Sequence, residues 1–318
     1  NCIRRCPTGA IRVKGGKAQI RRGLCIDCGE CIRICEQHAK IPIYDPMSTM
    51  DSYKYKVALP APSLYGQFNN LEDSNIILTS LLKIGFDMVY EVASGAEIVS
   101  EMSRRYIAEN KEKWPLISTA CPTIVKLIRI RFPGLIDQML PIQPPVEVAA
   151  MMAREKALKE RGLPSEDIGI FFSPCSAKVT ACRQPAGVKK TEVDHTLAIN
   201  DVYVKLLSVM DDVAVDPMDL AEAGRIGIGW GVSGGESAGL INDSYLAADG
   251  IENCIKVLND IEDQKYAHLR FVELDACPGG CVGGVLTVEN PYIAKAKLSA
   301  LRKYLPVAGT HEIPHPIG

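Results

Sequence analysis

The sequence predicts an α/β fold: parallel sheets covered by helices on both faces, with a small α+β module ahead of them. Three observations predict it. From Tyr55 onward, short apolar runs alternate with amphipathic stretches of helix length, the alternation that builds parallel sheets. Before Pro46, six of the 12 cysteines crowd into the first 35 residues, the density of a small module held by metal ligation. Between the two regions, residues 47–54 are polar and irregular and read as a linker.

The module is expected over residues 1–46. Within it, Ala10–Val13 and Lys17–Ile20 flank Gly15 and Gly16 and predict a β-hairpin. The large domain is expected over residues 55–318. Its candidate strands are Tyr55–Leu59, Met88–Val92, Leu116–Thr119, Ile168–Phe172 and Phe271–Leu274. Its candidate helices are Ala96–Asn110, Thr123–Arg131, Val146–Arg161, Asn200–Met210 and Asn290–Tyr304. Ligands in open α/β folds sit at the carboxyl ends of strands. The later cysteine motifs fall there: Cys121 after one candidate strand, Cys175 after the next, and Cys277 with Cys281 after the last.

The 318 residues are 47% hydrophobic and 23% charged, enough for one large domain with its own core plus a small one. No run of about 18 apolar residues occurs, and the N-terminus is not a basic-then-apolar export signal. Clustered cysteines without such a signal point to metal ligation in a reducing compartment, hence a cytoplasmic protein with no membrane association. Charge is uneven: residues 1–46 hold nine Lys/Arg against four Asp/Glu, about +5, and the remainder 27 against 34, −7, giving the overall −2. Arg4, Arg5, Arg21 and Arg22 form either a solvated surface or a docking face for an acidic electron carrier. Sparse aromatic residues and the short basic region argue against nucleic-acid binding.

Cys25, Cys28, Cys31 and Cys35 are spaced C-x2-C-x2-C-x3-C, the spacing of bacterial ferredoxins for a 4Fe–4S cluster. Three thiolates on a tight loop wrap one corner of a cube; the fourth, expected at a helix start, reaches the other cluster of a two-cluster module. Asn1-Cys2-Ile3-Arg4-Arg5-Cys6-Pro7 looks like the tail of a similar motif, so the chain reads as beginning inside it. The crossing rule then groups Cys25, Cys28, Cys31 and Cys6 as one ligand set and Cys2 with Cys35 as half of a second. In the large domain, Cys121, Cys175, Cys277 and Cys281 give the ligand count of another 4Fe–4S cluster, with a closed four-cysteine zinc site as the metal alternative. The glycine-rich stretch DACPGGCVGG, Asp275 to Gly284, and the electron-transfer module favour the cluster. Cys182 and Cys254 read as small buried apolar residues. The five histidines lack ligand spacing; His38 reads as a solvated helix end.

TACPTIVK, SPCSAK, ACPGGCVGG and Ala61-Pro62-Ser63 within VALPAPSLYG together resemble the catalytic domain of FeFe hydrogenases across nearly all of residues 55–305. Gly231-Val-Ser-Gly-Gly235 resembles the family's GVTGG segment more weakly. The resemblance implies two twisted parallel sheets with the active site deep between them. It implies an H-cluster, a 4Fe–4S cube joined through a cysteine sulfur to a diiron unit carrying CO, cyanide and a bridging dithiolate. Cys121, Cys175, Cys277 and Cys281 would hold the cube, and Cys281 would bridge to the diiron unit. The glycines after it would leave room for that unit. Lys178 would face one cyanide, and Pro62 and Ser63 the other. The implied activity is reversible H2 oxidation and proton reduction, with electrons passed through two ferredoxin-type clusters. The implied partners are H2, protons, a ferredoxin-like or signalling redox protein, and the family's maturation enzymes.

The chain also departs from the family. The proton-relay cysteine before the first cluster ligand is Ala120 here, and methionines near the second and third ligands are Ser173 and Asp275. A family glutamine is replaced at Pro145 or Val146, and the acidic relay is not evident around residues 103–106. Asp275 would either carry some relay capacity or cap a loop. Losing a general acid commonly costs about 10² to 10⁴ in rate, so slow turnover and a hydrogen- or redox-sensing role are expected. The pattern resembles the family's sensory branch. The rival classes are an iron–sulfur assembly factor and an electron-transfer protein, both without the diiron unit.

Overall fold

The structure is a computed structural model and describes residues 2–172, 175–185, 190–241, 243–309 and 311. Strands β1 (Ile11–Lys14) and β2 (Lys17–Ile20) form the antiparallel hairpin. Gly15 and Gly16, at φ +59° and +71°, make its turn, in the region where a side chain would be strained. A short helix, Glu30–Arg33, follows. It corrects one expectation: Cys31 lies on this helix, and Cys35 lies past its end rather than at a helix start.

The large domain carries two all-parallel sheets. Strands β3 (Tyr55–Leu59), β4 (Met88–Val89), β6 (Ile168–Phe172) and β7 (His195–Thr196) form one, in the order β4-β3-β6-β7. Strands β5 (Leu116–Ile117), β8 (Tyr245–Asp249) and β9 (Phe271–Asp275) form the other, in the order β5-β9-β8. β3 and β6 run in register from Tyr55 opposite Ile168 to Leu59 opposite Phe172.

Both faces of the first sheet are buried along β6, whose run Ile168–Phe172 is accordingly apolar throughout, and β3 is apolar apart from Lys56. Tyr55, Val57, Leu59, Ile168, Ile170 and Phe172 face Ala149, Ala150, Ala153 and Ala157 of helix Pro145–Arg161. Ala58 and Phe171 face the opposite core with Leu64, Phe68, Ile77 and Leu78. Helix Val92–Glu109 crosses Pro145–Arg161 closely: a Cβ at Gly95 would lie 2.6 Å from the Pro145 carbonyl oxygen. In the second sheet Ile117, Val272 and Leu274 pack on helices Pro122–Arg131 and Ile251–Glu262, and Ile26 of the N-terminal module enters the same core. Cys254 is buried there, and Cys182 packs half-buried beside the first sheet.

The expected linker is also corrected. Residues Met47–Ser52 form a 3-10 turn whose Met50 is buried in the main core, because one apolar side chain in a polar stretch is enough to anchor it. The expected helix Asn200–Met210 divides into Ile199–Leu207 and Met210–Val213. Helices Ser74–Lys83 and Ile251–Glu262 and strands β7 and β8 were not expected. β8 is half-buried throughout and only marginally apolar, so it gives little periodic signal.

Candidate functional site

Two adjoining cavities open where the carboxyl ends of the two sheets face one another. The first is lined by Cys121, Cys175, Cys277 and Cys281 together with Asp27, Cys28 and Arg33 of the N-terminal module. The second, the larger of the two, is lined by Pro62, Ser63, Ala120, Phe172, Glu236, Glu273 and other residues from both sheets. Cys121, Lys178, Asp275 and Cys281 line both.

Local structure puts each cysteine there. Cys121 and Cys175 precede the first turns of helices Pro122–Arg131 and Ser176–Arg183, and both strands behind them point at the cavity. Cys277 follows β9, and Cys281 opens a 3-10 turn. Burial raises the thiol pKa of Cys121 to about 11 and that of Cys281 to about 12, so both favour the neutral form without a metal. Iron binding would displace those protons. Among the described residues, no three His, Cys, Asp or Glu side chains converge closely enough to hold one metal ion. Four thiols are the donor set of either a 4Fe–4S cube or a closed zinc site.

The glycines around Cys281 have another reason than the one expected. Gly279, Gly280, Gly283 and Gly284 do not line the second cavity, so they do not clear it. Gly280, at φ +95°, would put a Cβ 2.3 Å from the Ser233 amide nitrogen, and Gly283 would put one 1.9 Å from the Pro278 carbonyl oxygen. They let the cysteine loop lie directly against backbone. The segment it lies against begins at Gly231, whose carbonyl accepts from Val282 N–H at 3.0 Å and which lines the second cavity beside Pro62 and Ser63.

Lys178 reaches the shared wall, with Nζ 3.9 Å from Cys281 Sγ and 5.9 Å from the centre of the Phe172 ring. Burial disfavours its charge, but the sulfurs of Cys281, Cys175 and Cys121 and the Asp275 carboxyl, wherever they are anionic, outweigh that and raise its pKa. A cation held in such a place calls for an anionic occupant. Asp275 faces the cavities rather than a helix end. Burial, then Glu273, push its carboxyl well above the usual range, while Lys178 opposes the shift. Ala120 lines the second cavity with Pro145, and its N–H donates to Ser118 Oγ at 3.2 Å. Ser173 lies outside the described residues.

The structure adds four residues to the site. Glu236 accepts from Ser118 Oγ at 2.6 Å, and Glu273 accepts from the amides of Gly234 and Ser237 at 2.9 and 2.8 Å. A buried acid inside the otherwise apolar run of β9 was the signal for Glu273. Asp27 and Arg33 had none, because they arrive by docking of the N-terminal module.

In that module Cys6 lies near Cys28 and Cys31. Burial first, then Glu30, Cys31 and Cys6, raise the Cys28 thiol to about 12. Burial first, then Cys6 and Cys2, raise that of Cys31. Burial chiefly raises Cys25 to about 11, with Cys31 contributing. Ala10 N–H donates to Cys6 Sγ at 3.2 Å and Ala39 N–H to Cys35 Sγ at 3.3 Å. His38 is exposed at φ +48°, past the helix end. Arg4, Arg21 and Arg22 are exposed, whereas Arg5 pairs with Glu252 at 2.6 Å. No helix among the described residues is long and apolar enough to cross a membrane.

Among curated proteins, the chain is 22% identical to the NADP-reducing hydrogenase subunit HndD of Solidesulfovibrio fructosivorans, over 82% of this chain and 55% of that protein. It is 21% identical to iron hydrogenase 1 of Clostridium pasteurianum, over 73% and 50%. The chain thus spans about half the length of these relatives. Solved structures of similar fold include the FeFe-hydrogenase HydA(deltaEFG), at TM-score 0.57 and 14% identity over 82% of this chain and 88% of that one. A variant of HydA1 from Chlamydomonas reinhardtii matches at TM-score 0.57 and 16% identity, over 78% and 84%. The family profile described as iron only hydrogenase large subunit, C-terminal domain, matches residues 54–241 and 236–285. Since that match spans well over half of the sequence, the chain belongs to the iron-only hydrogenase large-subunit family.

Proposed function

We propose that this chain reacts reversibly with H2 at an H-cluster, turns over slowly, and reports hydrogen or redox state more than it carries metabolic flux. The single observation that carries this reading is the pair of cavities meeting at Cys281 and Lys178, one walled by four cysteines and the other by Pro62, Ser63 and Ala120. Residues 1–46 would form a two-cluster ferredoxin-type module and residues 55–318 the H-cluster domain. Cys121, Cys175, Cys277 and Cys281 would hold the 4Fe–4S cube, and Cys281, which lines both cavities, would also hold the diiron unit. When bound, that group supplies an open iron site for H2 cleavage and an electron store beside it.

The chain's own residues then have separable tasks. Lys178 Nζ presents a buried positive charge and N–H donors to an anionic ligand at the shared wall. Ser63 brings a buried hydroxyl to the second cavity, and Pro62 fixes the backbone of the turn that carries it. Phe172, Trp230 and Val92 keep that cavity largely apolar and limit water. Ala120 has no proton to give, which removes a general acid from the position where catalytic relatives carry one. Asp275, with its raised carboxyl pKa, holds a proton at the cavity and supplies a partial substitute. Cys28, in the wall of the first cavity, brings the N-terminal cluster loop within reach for electron exchange. The exposed basic surface at Arg4, Arg21 and Arg22 suits an acidic redox partner.

Infrared spectroscopy of the chain co-produced with the family's maturation enzymes, under H2 and then argon, tests the reading. CO and cyanide bands that respond to H2, with turnover well below that of ordinary family members, are expected. Cubes without those bands would establish the assembly or electron-transfer alternative. Fast turnover would remove the sensing role.

A further inference from the structure

Lys178 places one cation in the first cavity beside Cys281, and Arg33 places a second in the wall of the same cavity. Arg33 belongs to the N-terminal module yet lines the four-cysteine cavity. Its Nη1 donates to the Cys28 carbonyl at 2.9 Å and to Glu30 Oε1 at 3.1 Å. Its Nη2 donates to the Gly283 carbonyl at 2.9 Å, two residues beyond Cys281. One rigid guanidinium therefore holds backbone from both cysteine loops, the fork geometry that lysine cannot reproduce. Burial opposes its charge, and the neighbouring Cys277 sulfur and Glu30 favour it.

The loop around Arg33 is pressed home by other contacts. A Cβ at Gly29 would lie 2.5 Å from Val285 Cγ1. Ser176 Oγ donates to the Asp27 carbonyl at 3.1 Å, and Lys126 pairs with the Asp27 carboxylate at 2.8 Å. These contacts fix position. Lys126 is neutralised by Asp27 and does not line the cavity, so it adds little field there. Arg33 is the charge at the junction, and Glu30 partly offsets it. Glu30 in turn is shared with Arg5, 3.5 Å away.

We infer that Arg33 is a positioning and potential-setting residue between the two redox sites, with Glu30 tempering its charge. The inference rests on the four cysteines holding an iron–sulfur cube. One-electron reduction adds one negative charge to a cube, so a fixed cation beside it stabilises the reduced form and raises its potential. The same cation lies against the N-terminal cluster loop at Cys28, so both sites shift together and electron exchange between them stays near balance. Removing Arg33 makes the cavity cube harder to reduce; removing the Glu30 charge makes it easier.

The test uses the full chain reconstituted with iron and sulfide alone and titrated potentiometrically with dithionite under electron paramagnetic resonance. The cavity signal is assigned by its loss in a Cys277→Ala chain. Arg33→Met is expected to lower that potential by at least a tenfold change in the reduction equilibrium, about 59 mV for one electron. Arg33→Lys restores most of it, and Glu30→Gln shifts it the opposite way. Equal potentials in the parent and in Arg33→Met at full iron load overturn the inference. So does a shift of the same sign in Arg33→Met and Glu30→Gln, the mark of a merely structural role. If Arg33→Met does not load iron, the sign of the Glu30→Gln shift decides alone. A parent chain with no cube at the four large-domain cysteines removes the cluster reading itself, a result distinct from either.

Discussion

Lys178 Nζ stands 3.9 Å from Cys281 Sγ, at the one stretch of wall that the two cavities share with Asp275 and Cys121. A lysine so enclosed is a poor neighbour for neutral thiols and a good one for a bound anionic group. Lys178→Met keeps the length of the side chain and removes the charge. The variant is expected to load the cube with iron like the parent and to lose most of the CO and cyanide infrared bands after maturation. Parent-level bands would show that Lys178 does not hold the second group.

Ala120 is the cheapest position at which to test the proposed absence of a proton relay. It lines the second cavity, and its amide is tied to Ser118, whose hydroxyl contacts Glu236. Ala120→Cys is expected to raise H2 turnover of the matured protein by about 10² to 10⁴. Hydrogen–deuterium exchange into H2 measures it. An unchanged rate would place the bottleneck outside proton delivery.

Gly280 tests the backbone contact behind the cysteine loop. Its φ is +95°, and a Cβ added there would meet the Ser233 amide nitrogen at 2.3 Å, so an alanine is strained twice over. Gly280→Ala is expected to cost about 1–3 kcal/mol and to reduce iron loading at the four-cysteine site. The ferredoxin-type signal of the N-terminal module should remain. Denaturant titration and iron analysis read the two effects separately.

Glu236 gives the chain a pH dependence. Burial, then Glu273, raise its carboxyl well above the ordinary 4.5, with Ser118 pulling the other way. The folded protein therefore binds this proton more tightly than the unfolded chain does. The resulting stability is complete below the ordinary carboxylate range and fades as pH rises through the raised value. Glu236→Gln in metal-free protein is expected to be more stable than the parent at pH 8, by on the order of 1 kcal/mol or more. The difference should close near pH 4. Urea titrations at the two pH values check it.

The large domain was legible where both faces of a strand are buried. Tyr55–Leu59 and Ile168–Phe172 fall where their apolar runs predict them: the second has no polar residue, and the first has only Lys56, near its start. Short or half-buried strands were not legible. His195–Thr196 has two residues, and its place is set by Asp45, which accepts from the Thr196 N–H at 2.8 Å. The cysteines announced themselves by type and spacing, and Lys178 through the resemblance that SPCSAK carries. Glu236, Asp27 and Arg33 did not, since a charged residue on a loop or a short helix has the same sequence appearance whether it meets solvent or a cavity.

By itself the sequence determined which thiols exist, how they are spaced, and that an alanine stands at position 120 ahead of Cys121. Those properties are local, fixed by residue type and by spacing along the chain. Only the tertiary structure decided that the ends of two separate sheets converge, that Cys281 and Lys178 stand in the wall common to two cavities, and that Arg33 reaches across from the N-terminal module. Those contacts join residues as far apart as Arg33 and Gly283, and they depend on how whole sheets and helices pack, which no short stretch of sequence encodes.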